Sequence, residues 1–358
     1  MPFSVIDKGS KYFTAKTYTG TGSTQSITGL EFAPKFTWIK DRTNGSANHN
    51  LFDVLRIWSG DSLPARLYSN TTDAEESTTY LGASNLTAFN SDGFTLGSGG
   101  NTNTNTNSYV SWNWRGSDSS AVSNTAGTIS STVSANTTSG FSIVSYTGNA
   151  TAGATVGHGL GVAPKMIIIK NRSAATEWLT YHASIGTGKY LALQSTAAQA
   201  GSVTIWGTSA STFTLSQNYS DYNGNGNSHI AYCFADVKGF SKFGSYTGNG
   251  ASGNGTFTYL GFKPAFVMIK EISGTDGWGM FDNKRVTYNY VNTHVQAQST
   301  SADITNTADA VDFLSNGFKV ATGTSSANFI NESGASYIYM AFAESPFTSS
   351  KGIPTTAR

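Results

Sequence analysis

Charged residues and cysteine are both scarce in this sequence. Asp, Glu, Lys and Arg make up 12% of its 358 residues, and the formal net charge is +1, whereas ordinary soluble domains are about 25% charged. Without an excess of one sign, the chain has no overall attraction for nucleic acid or for an anionic membrane surface. Cys233 is the single cysteine, which excludes an intrachain disulfide and a cysteine-rich zinc site.

Long apolar runs are missing as well. No stretch approaches the ~20 apolar residues of a membrane-spanning helix, so we predict no membrane insertion. The N-terminal MPFSVIDKGSKYF lacks the basic region and apolar core of a secretion signal. Cys233 lies between Tyr232 and Phe234 in an apolar segment, where a small buried thiol is expected.

The chain does contain a phrase that occurs three times. LEFAPKFTWIK (30–40), LGVAPKMIIIK (160–170) and LGFKPAFVMIK (260–270) each place a proline four residues after a leucine and end an apolar run with lysine. Four further landmarks recur around the phrase, and five landmarks in the same order predict three copies of one module. The four are a tyrosine-glycine turn (Tyr18, Tyr146, Tyr246), an aromatic-polar step (Phe52-Asp53, Tyr181-His182, Phe281-Asp282), a phenylalanine strand (Phe94, Phe213, Phe318) and an alternating closing strand (109–114, 229–234, 337–342).

These landmarks set the predicted boundaries. We predict an N-terminal arm at 1–10, a first module at 11–117 with an insertion at 55–92, a Ser/Thr-rich linker at 118–138, a second module at 139–238, a third module at 239–347 and a C-terminal tail at 348–358.

The periodicity within a module is that of β-strands. In YVSWNW, Val110, Trp112 and Trp114 share one face, while KMIIIK and AFVMIK are continuous apolar runs typical of a central strand. The fold class is therefore all-β, with three tandem antiparallel β-sandwich modules of jelly-roll-like form. Equivalent positions on the closing strands (Trp112, Tyr232, Met340) and the apolar residues of the repeated phrase (Phe36, Trp38, Met166, Ile168, Phe266, Met268) are predicted to be buried.

The lysine that closes each phrase allows two interpretations. Lys40, Lys170 and Lys270 could form a ligand-binding triplet, or each could end a strand and keep a sheet edge soluble. We favour the second interpretation.

Motifs that carry chemistry are few. The five histidines fall in no catalytic motif, and the acidic stretch DAEES (Asp73, Glu75, Glu76) is predicted to be a solvated loop. DYNGNG (221–226) matches the first half of a calcium loop, but Tyr232 stands where a bidentate Glu is needed, so a polar hairpin loop is predicted. We predict no enzyme activity, no catalytic residues, no metal site and no cofactor.

Several segments of the chain together resemble the repeated module of tail-fibre and other virion proteins of marine and cyanobacterial bacteriophages. These segments are GFSIVSYTGN, ATVGHGLGVAPKMIIIKNRS, DGFTL and the closing YVSWNW or YIYMAFAESPF. The resemblance covers residues 11 to 347 and implies a virion component, made in the host cytoplasm, whose expected partners are other virion proteins and host surface polysaccharide. It implies no active site.

Three hypotheses follow from the residues and the resemblance. The first is a tail-fibre or appendage protein that adheres to host glycan through loop aromatics, since ring faces pack against sugar C–H groups. The second is a capsid or tail decoration protein that acts through protein–protein interfaces, and the third, least favoured, is a polysaccharide-degrading enzyme. In every case the three modules are expected to form a compact triangle. The candidate glycan or partner contacts are Trp58, Trp206, Tyr219, Tyr222, Tyr288 and Tyr290.

Overall fold

A computed structural model of the chain describes residues 4–58, 60, 62–76, 84–321 and 329–355. The fold is all-β, as predicted, with six sheets of antiparallel strands. Helical structure in the described ranges is limited to short turns, and no helix there is long and apolar enough to cross a membrane. These turns are the 3-10 turns Gly9–Lys11, Gly100–Thr102 and Ala183–Ile185 and one α-helical turn, α1 (Ser220–Asn223).

The strands are, in chain order, β1 (Phe13–Thr19), β2 (Gln25–Ile27), β3 (Phe36–Asp41), β4 (Asn50–Asp53), β5 (Leu67–Tyr68), β6 (Leu86–Asn90), β7 (Gly93–Leu96), β8 (Ser108–Trp114), β9 (Val122–Asn124), β10 (Ser131–Asn136), β11 (Phe141–Thr147), β12 (Ala154–Gly157), β13 (Met166–Asn171), β14 (Trp178–His182), β15 (Leu191–Ala192), β16 (Trp206–Thr208), β17 (Thr212–Leu215), β18 (Ser228–Phe234), β19 (Ser241–Thr247), β20 (Phe257–Tyr259), β21 (Phe262–Glu271), β22 (Trp278–Asp282), β23 (Thr293–Gln296), β24 (Ile304–Thr305), β25 (Ala310–Leu314), β26 (Gly317–Ala321) and β27 (Ser336–Pro346).

The same spatial order of strands occurs three times. The large sheets share the orders β1-β8-β3-β4-β5, β11-β18-β13-β14-β15 and β19-β27-β21-β22-β23, and the small sheets are β2-β7-β6, β12-β17-β16 and β20-β26-β25. The repeated phrase forms β3, β13 and β21, which lie in the middle of the large sheets and are almost fully buried. This position explains the unbroken apolar runs, because both faces of these strands are covered.

Two predicted segment boundaries are wrong. Residues 55–92 are not an insertion specific to the first repeat, because they carry β5 and β6, whose places in the sheet order are taken by β15 and β16 in the second repeat. Residues 118–138 are not a linker outside the sheets, because they form β9 and β10, which add to the edge of the second large sheet beside β11.

Each large sheet has two buried faces with different neighbours. One face packs on the small sheet of the same repeat, as Ile39, Phe52 and Tyr109 do with Phe94 and Leu96. The other face carries Trp112, Tyr232 and Met340, which are at most 2% exposed and face Trp38, Ile168 and Met268 in register. The predicted equivalence and burial of these three residues are confirmed.

One aromatic residue of each closing strand meets the other two in a shared apolar core. The ring of Trp114 lies 6.2 Å from that of Phe234 and 5.8 Å from that of Phe342, and Phe234 lies 6.0 Å from Phe342. All three contacts are edge-to-face, which is a favoured geometry for aromatic pairs. Three equivalent residues at nearly equal separations define a pseudo-threefold axis, and the three repeats share one apolar core around it.

The recurring lysines lie between the repeats and not at solvent-exposed sheet edges, so the favoured prediction for them is wrong. Lys40, Lys170 and Lys270 are fully buried, and each ammonium group donates to a main-chain carbonyl of a neighbouring repeat at 2.9 to 3.0 Å. The three bonds run cyclically, from Lys40 to Thr300, from Lys170 to Thr72 and from Lys270 to Thr196. Burial lowers the pKa of all three lysines to about 8.

The polar residue of each aromatic-polar step also contacts a neighbouring repeat. Asp53 accepts a hydrogen bond from the Tyr232 hydroxyl at 2.7 Å, and Asp282 accepts one from the Trp112 indole at 3.1 Å. His182 takes the equivalent place, with its Nε2 3.2 Å from the carbonyl of Tyr339. Because each interface pairs a different polar group with a different partner, the three contacts favour one cyclic order of the repeats.

The acidic stretch after β5 belongs to these interfaces. Glu75 forms ion pairs with Arg172 of the second repeat at 2.7 Å and with Arg56 at 3.2 Å, and its amide donates to the Arg172 carbonyl. Glu76 pairs with Arg66. The prediction of a solvated loop is therefore wrong for Glu75, whose side chain is 10% exposed, whereas Asp73 is exposed and the Glu76 side chain is 37% exposed.

The five histidines are buried, and burial lowers the pKa of every one of them. For His182 the pKa falls to about 4. An unfolded histidine has a pKa of about 6.5, so between pH 4 and pH 6.5 the unfolded chain binds more protons at His182 than the folded chain does. The stability contributed by neutral, buried His182 is therefore fully present above pH 6.5 and is lost as the pH falls toward 4.

We expect the His182 ring resonances in NMR spectra to keep their neutral positions down to about pH 5. The same resonances in urea should titrate near 6.5, and a native midpoint near 6.5 would contradict the prediction.

Candidate functional site

Two of the six aromatic residues proposed from the sequence are core residues. Trp206 and Tyr222 are at most 1% exposed and stack on each other in the sandwich core of the second repeat, with ring centroids 5.3 Å apart. The Trp206 indole donates to the carbonyl of Lys189, and the Tyr222 hydroxyl donates to that of Ile205. Both polar groups are thus satisfied internally, so the prediction that these two side chains contact a glycan or partner is wrong.

The other four proposed residues reach the surface. Trp58, Tyr219, Tyr288 and Tyr290 are between 38% and 75% exposed. No ring contact joins these four side chains to one another within the part of the chain that the structure describes. Each therefore offers a single aromatic face, whereas a binding site requires several groups that converge on one place.

A group of aromatic side chains that the sequence reasoning missed does converge, on the third repeat. A groove of about 590 Å³ runs between β19, the loop after β20 and the start of the C-terminal tail, and Tyr259 and Phe347 line it. The Phe347 amide donates to the carbonyl of Gly261 at 3.1 Å, which fixes the tail against the loop. Tyr259 is 56% exposed, and Phe257, on the same face of β20, is 46% exposed.

These two aromatic residues have no counterpart in the other repeats. Phe257 pairs with the residue that follows Phe318 on the neighbouring strand. Ser26 pairs with the residue after Phe94 in the first repeat, and Thr155 pairs with the residue after Phe213 in the second. Ser26 and Thr155 therefore hold the place of Phe257. Tyr259 corresponds in the same way to Gly157. Since the other small sheets form without aromatic residues there, the sandwich itself does not require Phe257 or Tyr259.

Polar and charged groups border the same groove. Lys242 donates to the Tyr259 carbonyl at 2.6 Å, and its ammonium group lies 5.4 Å from the Tyr259 ring centroid. Asp236 accepts a hydrogen bond from the Phe243 amide, and burial raises the pKa of its carboxyl group. The groove thus combines exposed ring faces with a cation, a carboxyl group and the hydroxyls of Ser241 and Thr348.

One cluster of carboxylates lies elsewhere, at the end of β21. Oxygens of Glu271, Asp276 and Glu332 lie within 4.8 Å of one another. Ser273 donates to Glu271 at 2.7 Å, and burial together with the neighbouring Glu271 raises the pKa of Asp276. Calcium takes about six to eight oxygen ligands, so these three carboxylates alone make an incomplete cation site.

The half calcium motif is part of the internal hydrogen-bond network. Residues 220–223 form the helical turn α1 instead of the predicted hairpin loop. The carboxylate of Asp221 accepts the amide of Glu177, and the buried Asn223 side chain bonds the amide of Asn149 and the carbonyl of Thr151. These side chains point to different backbone groups and do not converge on one ion.

Residues 8–346 match the model of a family described as a domain of unknown function (DUF7483). The match covers more than half of the chain, which therefore belongs to this family. No curated protein and no solved structure matched the chain.

Proposed function

We propose that this chain is a structural protein of a bacteriophage virion, part of a tail fibre or appendage, that adheres to polysaccharide on the host surface. The observation that carries the proposal is the aromatic groove of the third repeat, with Tyr259, Phe257 and Phe347 exposed at or beside it. The resemblance of the repeats to phage virion modules supports the setting.

The chemistry of the groove suits a sugar chain. Exposed aromatic faces pack against the C–H groups of a pyranose ring, and Tyr259 and Phe257 project from the same side of β20 about two residues apart. Hydroxyl groups of the sugar would find a donor in Lys242 and an acceptor in Asp236. A few polar groups placed around apolar walls are typical of small-ligand sites.

The shared core gives the groove a rigid support. The third repeat is held to the other two by the central aromatic contacts and by the buried lysines, so its surface keeps a fixed orientation to the rest of the chain. A single chain with a pseudo-threefold axis also lets one repeat diverge for binding while the others keep the architecture, which a homotrimer of identical chains does not allow.

A binding measurement with purified bacterial surface polysaccharides tests the proposal. We expect the native chain to bind at least one preparation in a saturable manner, and Tyr259→Ala to weaken that binding about tenfold or more, because the stacking of a ligand ring, as measured for nucleic-acid bases on aromatic side chains, contributes about 1–3 kcal/mol. Tyr288→Ala is the matched control, since it removes a more exposed tyrosine outside the groove.

Three results would argue against adhesion through this groove. The native chain could bind none of the preparations, Tyr259→Ala could bind as well as the native chain, or Tyr288→Ala could cause the larger loss. If the chain bound only assembled phage heads or tails, the alternative function of a capsid or tail decoration protein would replace adhesion.

A further inference from the structure

The first strand of each repeat lies at or near the edge of its large sheet, and the three edges differ in what covers them. In the second repeat, β10 pairs along β11, from Asn136 opposite Phe141 to Ser131 opposite Tyr146. The chain therefore already places an extended segment on one of three equivalent edges.

In the third repeat the equivalent edge is closed by the preceding residues. Val237 exchanges two main-chain hydrogen bonds with Ser241, at 2.9 and 3.2 Å. The next outward amide, that of Phe243, donates to the carboxylate of Asp236 at 2.9 Å. No place for an added strand is left at Ser241 and Phe243.

In the first repeat the edge is open. The amide of Arg115 bonds the carbonyl of Tyr12, and the amide of Gly20 bonds the carbonyl of Asn107. Because hydrogen-bonded pairs alternate in an antiparallel ladder, Phe13, Ala15 and Thr17 turn their N–H and C=O groups away from β8. Among the described residues, no hydrogen-bond partner is found for these outward groups of β1.

A groove of about 620 Å³ follows this edge, and its lining includes Ala15, Thr17 and Gly29. Ala15 is only 1% exposed, so its outward backbone groups lie on the groove floor, where unpaired amides are costly. The corresponding glycine of the second repeat, Gly159, shows what fits there: a Cβ on it would lie 3.1 Å from Val133 and 3.2 Å from Ala135, both on β10.

We propose that the open edge of β1 binds an extended polypeptide segment of a partner protein, which pairs with Phe13, Ala15 and Thr17 as β10 pairs with Phe141, Ile143 and Ser145. Addition of a strand to an exposed sheet edge is a general mode of peptide recognition, in which main-chain hydrogen bonds give affinity and small pockets select side chains. The partner segment has small or β-branched side chains where it crosses Gly29, as β10 has at Val133 and Ala135. This contact is separate from the aromatic groove and does not depend on glycan binding.

The test uses a synthetic peptide with the sequence of residues 129–137, ISSTVSANT, because this segment fits the equivalent edge. We expect saturable binding to the full chain at millimolar peptide or below, with changes in the backbone amide resonances of Ala15 and Thr17. The same peptide N-methylated at the residues equivalent to Thr132 and Ser134, whose amides face β11, should bind at least about tenfold more weakly, because two main-chain hydrogen bonds are lost.

A pair of matched variants locates the site. Thr17→Pro removes an outward N–H and is tolerated on an edge strand, so it should weaken peptide binding about tenfold or more, whereas Ser245→Pro, at the equivalent position of β19, should not. The proposal is overturned if the peptide does not bind at millimolar concentration, if N-methylation has no effect, or if the shifted resonances are those of Ile143 and Ser145. Should Thr17→Pro fail to fold, the N-methylated peptide with the native chain decides the question.

Discussion

Replacing Trp112 with alanine should lower the free energy of unfolding by about 3–5 kcal/mol, as measured by urea titration, because a large buried aromatic side chain leaves a cavity that the core fills only in part. Trp112 is fully buried and packs edge-to-face on Trp38 at 6.2 Å and on Phe266 at 6.0 Å. Its indole also donates to Asp282, and the Arg285 guanidinium lies 5.5 Å from its ring centroid. The substitution therefore disturbs both an apolar core and a polar contact between the first and third repeats.

Trp58→Ala is the matched control, because this tryptophan is 38% exposed and surface changes usually alter stability by less than about 0.5 kcal/mol. A loss below about 1 kcal/mol for Trp112→Ala would contradict the burial of the closing strand.

The number of unfolding transitions in the urea titration is a further expected result. Since the largest core cluster draws residues from all three repeats, we expect a single unfolding transition for the native chain and for both variants.

The strand pattern and the core could be predicted from the sequence because both depend on the order of apolar and polar residues within a single strand. Alternation in the closing strands placed Trp112, Tyr232 and Met340 on one face, and these residues are buried in register. The tyrosine-glycine turn is local in the same sense. The Tyr146 hydroxyl bonds the carbonyl of Tyr222, and a Cβ on Gly148 would lie 2.4 Å from the carbonyl oxygen of Gly224, so both residues recur for reasons within one repeat.

The contacts between repeats could not be predicted in this way. Lys170 resembles a strand end within its own module. Its ammonium group donates to the carbonyl of Thr176 in the same repeat and also to that of Thr72, about a hundred residues away in the chain. The acidic Glu75 likewise gains its partner Arg172 from another repeat. One signal was present in the sequence, namely that the lysine recurs at the same place in all three phrases, which a freely variable surface position does not require.

The aromatic groove shows a second limit of pattern reasoning. The sequence-based prediction favours aromatic residues in loops, and it includes Trp206 and Tyr222, which complete a sandwich core. Phe257 and Tyr259 were missed because they alternate on a strand, which resembles core packing. A comparison of the repeats position by position would have found them, since Ser26 and Thr155 hold the place of Phe257.

The second large effect concerns a buried ion pair. Arg56→Met should lower the free energy of unfolding by about 3–5 kcal/mol, because removing one partner leaves the other as an uncompensated buried charge. The Arg56 Nε bonds Asp53 at 2.6 Å, and neither side chain is exposed. The same guanidinium reaches Glu75 at 3.2 Å and the carbonyl of Leu51 at 2.8 Å.

The control for this change is Arg115→Met, which breaks the ion pair with Asp118 at the surface, where the two side chains are 25% and 64% exposed. Exposed pairs contribute about 0–1 kcal/mol, so we expect a loss in that range by the same urea titration.

A double variant, Arg56→Met with Asp53→Asn, removes the unpaired charge but keeps an acceptor for the Tyr232 hydroxyl. If the loss of stability in Arg56→Met arises from the unpaired, buried carboxylate of Asp53, the double variant should be more stable than Arg56→Met alone. Equal or lower stability of the double variant would instead mean that the loss comes from packing and from the carbonyl contacts of the guanidinium.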